Sequence, residues 1–314
     1  MFVLIDTHAH LNFKVFKSRV ETVLERAFES GVEQVVCVGT HLKSSRLAVK
    51  QAEKFGPANG RAQVWATVGV HPHHVWDYLS QANNQIAVTR QSPQEMLDLI
   101  LADVRQELTF LAQNPRVVGI GEVGFDRHFY DQTQYQNKAI TDQYMKWQRA
   151  FFITQLEIAG QTDKAMIIHN RESVDDLLGV LADRPDLIQT GKMVFHCCEP
   201  ETRLLEFAKA YQLYIGVDGD VTYDLVKQEF IKQVPLEMLV LETDSPFIVP
   251  EPDRSEFKEL KTSLPYKDRV CQPRHVAQIA EQVAKIQGVS DQKVFEVTSS
   301  NADRLLGLSV NLEN

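Results

Sequence analysis

Gly119–Gly124 reads GIGEVG, and FDRHFYD follows it at Phe125–Asp131. The six letters spell G-x-G-x-x-G, which marks a dinucleotide site when the third glycine opens a helix directly behind a strand. Here Asp126 and Asp131 come next among aromatic side chains, and a helical period resumes only near Thr133. The stretch also belongs to the fourth strand-and-helix unit of the chain, not the first. Both features speak against a nicotinamide cofactor and move attention to Glu122, the acidic residue inside the pattern. Gly119 and Gly121 would then spare side-chain bulk beside Glu122, and Gly124 would let the backbone turn away from the strand.

Outward from this stretch, short β-branched runs alternate with longer segments of helical period, the pattern of parallel βα units. The predicted strands are Phe2–Asp6, Glu33–Val38, Gln63–Gly69, Val117–Gly121, Ala165–Ile168, Lys192–Phe195, Leu213–Val217 and Met238–Glu242. The predicted helices cover Arg19–Ser30, Lys43–Phe55, Pro93–Gln113, Thr133–Ala159, Ser173–Ala182, Pro200–Tyr211 and Tyr223–Gln233. Ser92, Pro93 and Glu95 spell a capping-box start, and Gly31 and Gly160 supply stops. Ile140, Tyr144, Trp147, Phe151 and Ile158 follow the spacing of one buried stripe. His71–Gln91 and Pro246–Gln272 are long for connections and predict lids or substrate walls. Eight units point to an α/β fold, a single (β/α)8 TIM barrel occupying residues 1–314 as one domain.

Composition limits the function classes. The chain has 314 residues, 44% apolar and 24% charged, the balance of a folded globular protein. Its net charge of −9 argues against a protein that coats nucleic acid through counterion release, though a strand end could still enter a local site. The N-terminus lacks a signal-peptide pattern and no apolar run would span a membrane, so a cytoplasmic location with reduced thiols at Cys37, Cys197, Cys198 and Cys271 is expected.

In a barrel of this kind the chemistry gathers where the strands end. The first strand runs into DTHAH, and because side chains alternate along an extended segment, His8 and His10 point the same way. Glu122 follows the fourth strand, His169 the fifth, His196 the sixth and Asp244 the eighth, so all six should ring one opening. Imidazole and carboxylate in this mixture suit zinc, manganese, iron or magnesium, and the number of ligands suits two ions bridged by a carboxylate. A single histidine in such a place is more often a satisfied packing residue than a ligand. Nine of the ten histidines, however, lie just past predicted strands, with only His275 in a helix. Cys198 would share a side with His196 if the segment were extended, but a small core hydrophobe is the favoured role. Arg171 is equally suited to a phosphate and to a salt bridge with Asp175 or Glu172.

With these residues placed, the chain resembles the TatD-type deoxyribonucleases of the metal-dependent hydrolase superfamily. The resemblance rests on an ordered series: LIDTHAHL, VGVHPHHV, GIGEVGFD, QRAFFITQL, IIHNRES, VFHCCEP, LETDSPF and VTSSNADRLLGL, from about Leu4 to Leu308. It implies a TIM barrel with a dinuclear site of Mg, Mn or Zn that hydrolyses DNA phosphodiester bonds, commonly as an exonuclease at strand ends. It further implies that His8, His10 and Asp244 hold one ion, His169 and His196 the other, and that Glu122 bridges them. His71, His73 and Arg171 match positions facing substrate phosphate. The chain departs from the family at Cys198-Glu199-Pro200, at Cys271, and in a longer segment at Asp253–Asp268.

The expected chemistry is attack by a hydroxide activated by the two ions, with Asp244 as ligand and proton acceptor and with Glu122 essential to metal binding. The competing expectation is a superfamily hydrolase acting on an amide, lactone or ester, including aminoacyl-tRNA deacylation. Those enzymes often bridge their metals with a modified lysine on the fourth strand, and no lysine occurs between Arg116 and Gln136.

Overall fold

The structure, a computed structural model, describes residues 3–87, 91–131, 136, 138–259 and 265–308. Its strands are β1 (Leu4–Ala9), β2 (Val32–Val38), β3 (Gln63–Val68), β4 (Val117–Asp126), β5 (Ala165–Arg171), β6 (Met193–Phe195), β7 (Tyr214–Val217) and β8 (Leu239–Leu241). They form one sheet in sequence order with every neighbouring pair parallel. The sheet curls until its ends meet at the Ala9–Ser245 bridge, where the His10 amide donates to the Ser245 carbonyl over 2.7 Å. Side chains fasten the same seam. The buried Asp6 carboxylate accepts from the Thr243 hydroxyl at 2.7 Å and from its amide at 3.0 Å.

The described helices are α1 (Val20–Glu29), α2 (Leu42–Lys54), α3 (Pro72–Ile86), α4 (Pro93–Ala112), α5 (Asp142–Thr162), α6 (Val174–Asp183), α7 (Thr202–Tyr211), α8 (Leu225–Ile231), α9 (Asp253–Glu259), α10 (Val276–Gln287) and α11 (Asp291–Leu306). The alternation is that of a (β/α)8 TIM barrel. Parallel strands covered on both faces must be apolar on both. Inside the barrel lie Ile5, Val36, Val38, Val118, Ile167, Val194 and Val240, joined by Ala302, Leu305 and Leu306 of α11. A larger layer outside packs the opposite strand faces against the helices.

Local signals read from the sequence hold where the backbone has no competing demand. The Ser92 hydroxyl accepts from the Glu95 amide at 3.2 Å while the Glu95 carboxylate accepts from the Ser92 amide at 2.7 Å, which starts α4 at Pro93. Tyr144, Trp147, Phe151 and Ile158 are buried along α5. Other expectations are corrected. The fifth long helix begins at Asp142, because Thr141 accepts the Tyr144 amide and caps it there; the predicted start, Thr133, lies outside the described residues, as does Phe2. Gly160 does not stop α5, which runs on to Thr162 and ends at Asp163 in the left-handed conformation. The described residues of His71–Gln91 are mainly helix α3, with His71 capping it and Pro72 at its first position. The described residues of the Asp253–Asp268 segment include α9 and a 3-10 turn at Tyr266–Asp268.

Candidate metal centre

His8 lies within β1 and His10 just beyond it, and the expected common orientation brings their Nε2 atoms to 3.3 Å. Glu122 reaches the same opening differently from the expectation. β4 does not end at Gly121 but continues to Asp126, and its register against β5 breaks between Ile120 and Val123, the step that contains Glu122. Gly121 has φ +147°, and a Cβ there would lie 2.7 Å from both Cβ and the carbonyl oxygen of Ile167. A Cβ on Gly124, at φ +151°, would lie 1.9 Å from the His169 carbonyl oxygen. These glycines therefore let β4 and β5 approach each other. The expectation that Gly124 turns the chain away is corrected, because the strand persists through it. The G-x-G-x-x-G spelling thus sits wholly inside a buried strand and opens no helix.

Around Glu122 the predicted ligands converge in two groups. Its Oε2 faces His8 Nε2 at 3.5 Å and His10 Nε2 at 3.7 Å, and Asp244 Oδ1 stands 3.6 Å and 3.2 Å from the same two nitrogens. Its Oε1 faces His169 Nδ1 at 2.9 Å, His196 Nε2 at 3.2 Å and His71 Nε2 at 3.3 Å. The His8 and His196 rings stack at 3.7 Å, which joins the groups into one cluster. Glu122, His8, His10, His71 and His196 are buried, whereas the Asp244 side chain retains 15% of its exposure and looks into the mouth.

The outer nitrogen of each ring decides what the inner one offers. His10 Nδ1 lies 3.3 Å from the Val38 carbonyl, His169 Nε2 3.1 Å from Asp126 Oδ2, and His196 Nδ1 3.2 Å from Glu242 Oε1. An outer N–H directed at these oxygens leaves an inward lone pair on the neutral ring, the arrangement a cation needs. His71 is the reverse case. Its Nδ1 accepts the His73 amide at 3.1 Å, so the neutral ring carries its proton on Nε2 and presents a donor to the centre. Burial pushes His71 down to about 3, which keeps it neutral.

The charges follow from the same packing. Burial alone would raise Glu122, but the surrounding imidazoles, led by His71 and His196, outweigh it and hold the carboxyl well below its usual range. For His169, burial lowers the ring's affinity for a proton, yet hydrogen bonds to Asp126 and Glu122 prevail and move it up to about 9. Buried acceptors this close must be balanced by protons or by cations. The donor set fits divalent ions: four imidazoles and two carboxylates face one opening, and a cation bound there would take the place of the proton that His169 holds.

Two residues beyond the predicted set help to build the site. Asp126 is buried and receives His169 Nε2, His73 Nε2 at 2.8 Å and the Tyr130 hydroxyl at 2.9 Å. Glu242, also buried, faces His196 and accepts the Cys197 amide at 2.5 Å. The available signal was a carboxylate at the end of a strand already suspected of carrying a ligand. His73 stands by Asp126, and Arg171 donates to the Tyr130 hydroxyl at 3.1 Å, not to Asp175 or Glu172. Cys198 does not share a side with His196, because Cys197 adopts φ +43° and bends the segment; its thiol is buried in the core and donates to the Glu199 carbonyl. Cys197 instead approaches Asp218 and Asp220. A cation already serves that cluster, since Lys227 Nζ lies 3.4 Å from Asp220 Oδ2.

The profile described as TatD related DNase matches residues 5–307. The chain belongs to this family. The metal-dependent hydrolase YabD of Bacillus subtilis, itself uncharacterised, is 26% identical over 98% of this chain and 100% of its own length. A TatD of Edwardsiella piscicida named as a 3'-5' ssDNA/RNA exonuclease is 28% identical, with the same coverage. Among solved structures, the TatD homologue YJJV of Escherichia coli K12 superimposes with a TM-score of 0.70 at 21% identity, covering 97% of this chain and 98% of the other. The chain carries histidine and carboxylate groups close enough to hold metal, and no helix among the described residues is long and apolar enough to cross a membrane.

Proposed function

We propose that this protein hydrolyses phosphodiester bonds at the ends of DNA strands, at a site for two divalent ions, Mg, Mn or Zn. One observation carries the proposal: the two oxygens of the single buried carboxylate of Glu122 face two different histidine groups. His8, His10 and Asp244 would hold one ion, His169 and His196 the other, and Glu122 would be shared between them. When bound, the ions supply Lewis-acid stabilisation of phosphoryl oxygens and lower the pKa of water. The chain's own groups do the rest. Asp244, turned toward the mouth, is placed to receive the proton of the attacking water. His71, with its N–H pointing into the centre, and His73 and Arg171 beside it, orient the phosphate. Asp126 and Glu242 fix the ring orientations of His169 and His196.

The homologue named as a 3'-5' ssDNA/RNA exonuclease supports this class of substrate. An amide, lactone or ester substrate is the competing assignment, and the unmodified carboxylate on β4 favours the nuclease. The chain would act as one domain in the cytoplasm. The deciding experiment is metal analysis of the purified protein with timed digestion of end-labelled single- and double-stranded DNA, alongside aminoacyl and cyclic amide substrates. Progressive shortening of DNA that a chelator abolishes and added metal restores is expected. Chelator-resistant digestion, or turnover of the amide or aminoacyl substrates alone, would overturn the assignment.

A further inference from the structure

Two turns leave the metal centre in parallel fashion. The Phe13 amide donates to the His10 carbonyl at 3.0 Å, and the Phe247 amide donates to the Asp244 carbonyl at 2.9 Å. Each turn therefore begins on a candidate ligand and ends on a phenylalanine. The two rings meet edge to face at 5.9 Å. Phe13 stacks on His10 at 4.7 Å and 20°, and Phe247 meets His10 edge-on at 6.1 Å. Phe247 keeps 45% of its exposure and so leaves part of its ring open to solvent beside the buried polar groups of the centre.

We propose that Phe13 and Phe247 form a stacking shelf for the unpaired base of the nucleotide whose phosphate enters the centre. This inference rests on the proposed nuclease activity and adds a determinant of its substrate. The ring exposed at the mouth is a flat apolar surface within one nucleotide of the His10 and Asp244 group. Every base presents a π-face, so such a surface recognises the absence of a pairing partner and not the sequence. A paired terminal base would have to leave its duplex before reaching the shelf, which makes single strands the better substrates. Stacking of this kind would give a chain of net charge −9 affinity for a strand end that does not depend on counterion release.

The test compares wild type with Phe247→Ala and Phe247→Trp, each metal-loaded, on a single-stranded oligonucleotide and on the same strand with an abasic sugar at its terminus, tried at each end in turn. Phe247→Ala should raise KM on the normal strand roughly five- to hundredfold, leave kcat nearly unchanged, and leave the abasic strand unaffected. Phe247→Trp should restore KM. Equal losses on normal and abasic strands would mean that Phe247 only supports the Asp244 turn, and no loss on either would mean that nothing stacks there; each result overturns the shelf while wild-type cleavage keeps the nuclease assignment standing. A metal-loaded wild type that cuts neither strand overturns the nuclease assignment, and the shelf with it.

Discussion

Replacing Glu122 with glutamine keeps the shape of the side chain and removes the charge on which the centre converges. In the wild type the two carboxylate oxygens stand 2.9–3.7 Å from the inward nitrogens of His8, His10, His71, His169 and His196. An amide offers one oxygen to one group and turns an N–H₂ donor toward lone pairs in the other. Two unit charges about 4 Å apart attract by roughly 4 kcal/mol at an effective dielectric constant of 20. A divalent ion would double that figure, and lost hydration offsets much of the gain. A net loss of about 4 kcal/mol corresponds to roughly three decades of metal affinity. Calorimetric titration and metal analysis after dialysis would read the loss directly. In thermal melts, the wild type should gain about 2.7 kcal/mol at metal a hundredfold above its Kd, and Glu122→Gln should gain almost nothing at the same concentration. Single-turnover digestion of end-labelled DNA should fall with occupancy. If Glu122→Gln retained two ions at wild-type affinity and cut DNA at the wild-type rate, the bridging assignment would be refuted.

Other perturbations follow from particular contacts. Asp126→Asn leaves His169 with an amide where it had a carboxylate, and metal affinity or kcat/KM should drop about 10- to 100-fold, with the fold intact by circular dichroism. Gly124→Ala forces a methyl into the His169 carbonyl and should destroy soluble yield, while Gly160→Ala, with no neighbour within 4 Å and a helical position, should raise stability by up to about 1 kcal/mol in a denaturant titration. Asp253 ties α9 to the turn before α10 through Arg274 at 2.6 Å and His275 at 3.1 Å, and to α10 itself through Gln278 at 3.0 Å. The His275 hydrogen bond, reinforced by Gln278 and Arg274, holds its carboxyl below the usual range. A depressed carboxyl stabilises the fold above the unfolded value near 4 and loses that contribution as pH falls through the folded value. Asp253→Asn should therefore cost about 2 kcal/mol at pH 6 to 7, and the difference from wild type should shrink steadily below about pH 4.

The sequence by itself determined the order of βα units, the capping box at Ser92, the buried stripe of α5, and six residues that gather at one opening. Those features are carried by periodicity and by position relative to a strand end, which neighbouring residues specify. Even the departures near Cys198 and Asp253 were visible as departures. Tertiary structure decided what depends on distant partners. Whether GIGEVG turns or runs straight depends on the close approach of β5, which only glycine permits at positions 121 and 124. Whether His71 presents a lone pair or a proton depends on the His73 amide in the first turn of α3. Asp126 and Glu242 gain their roles from His169 and His196, rings on other strands. The pairing of Phe13 with Phe247 joins residues from the two ends of the barrel sheet, and it exists because the Ala9–Ser245 seam closes that sheet.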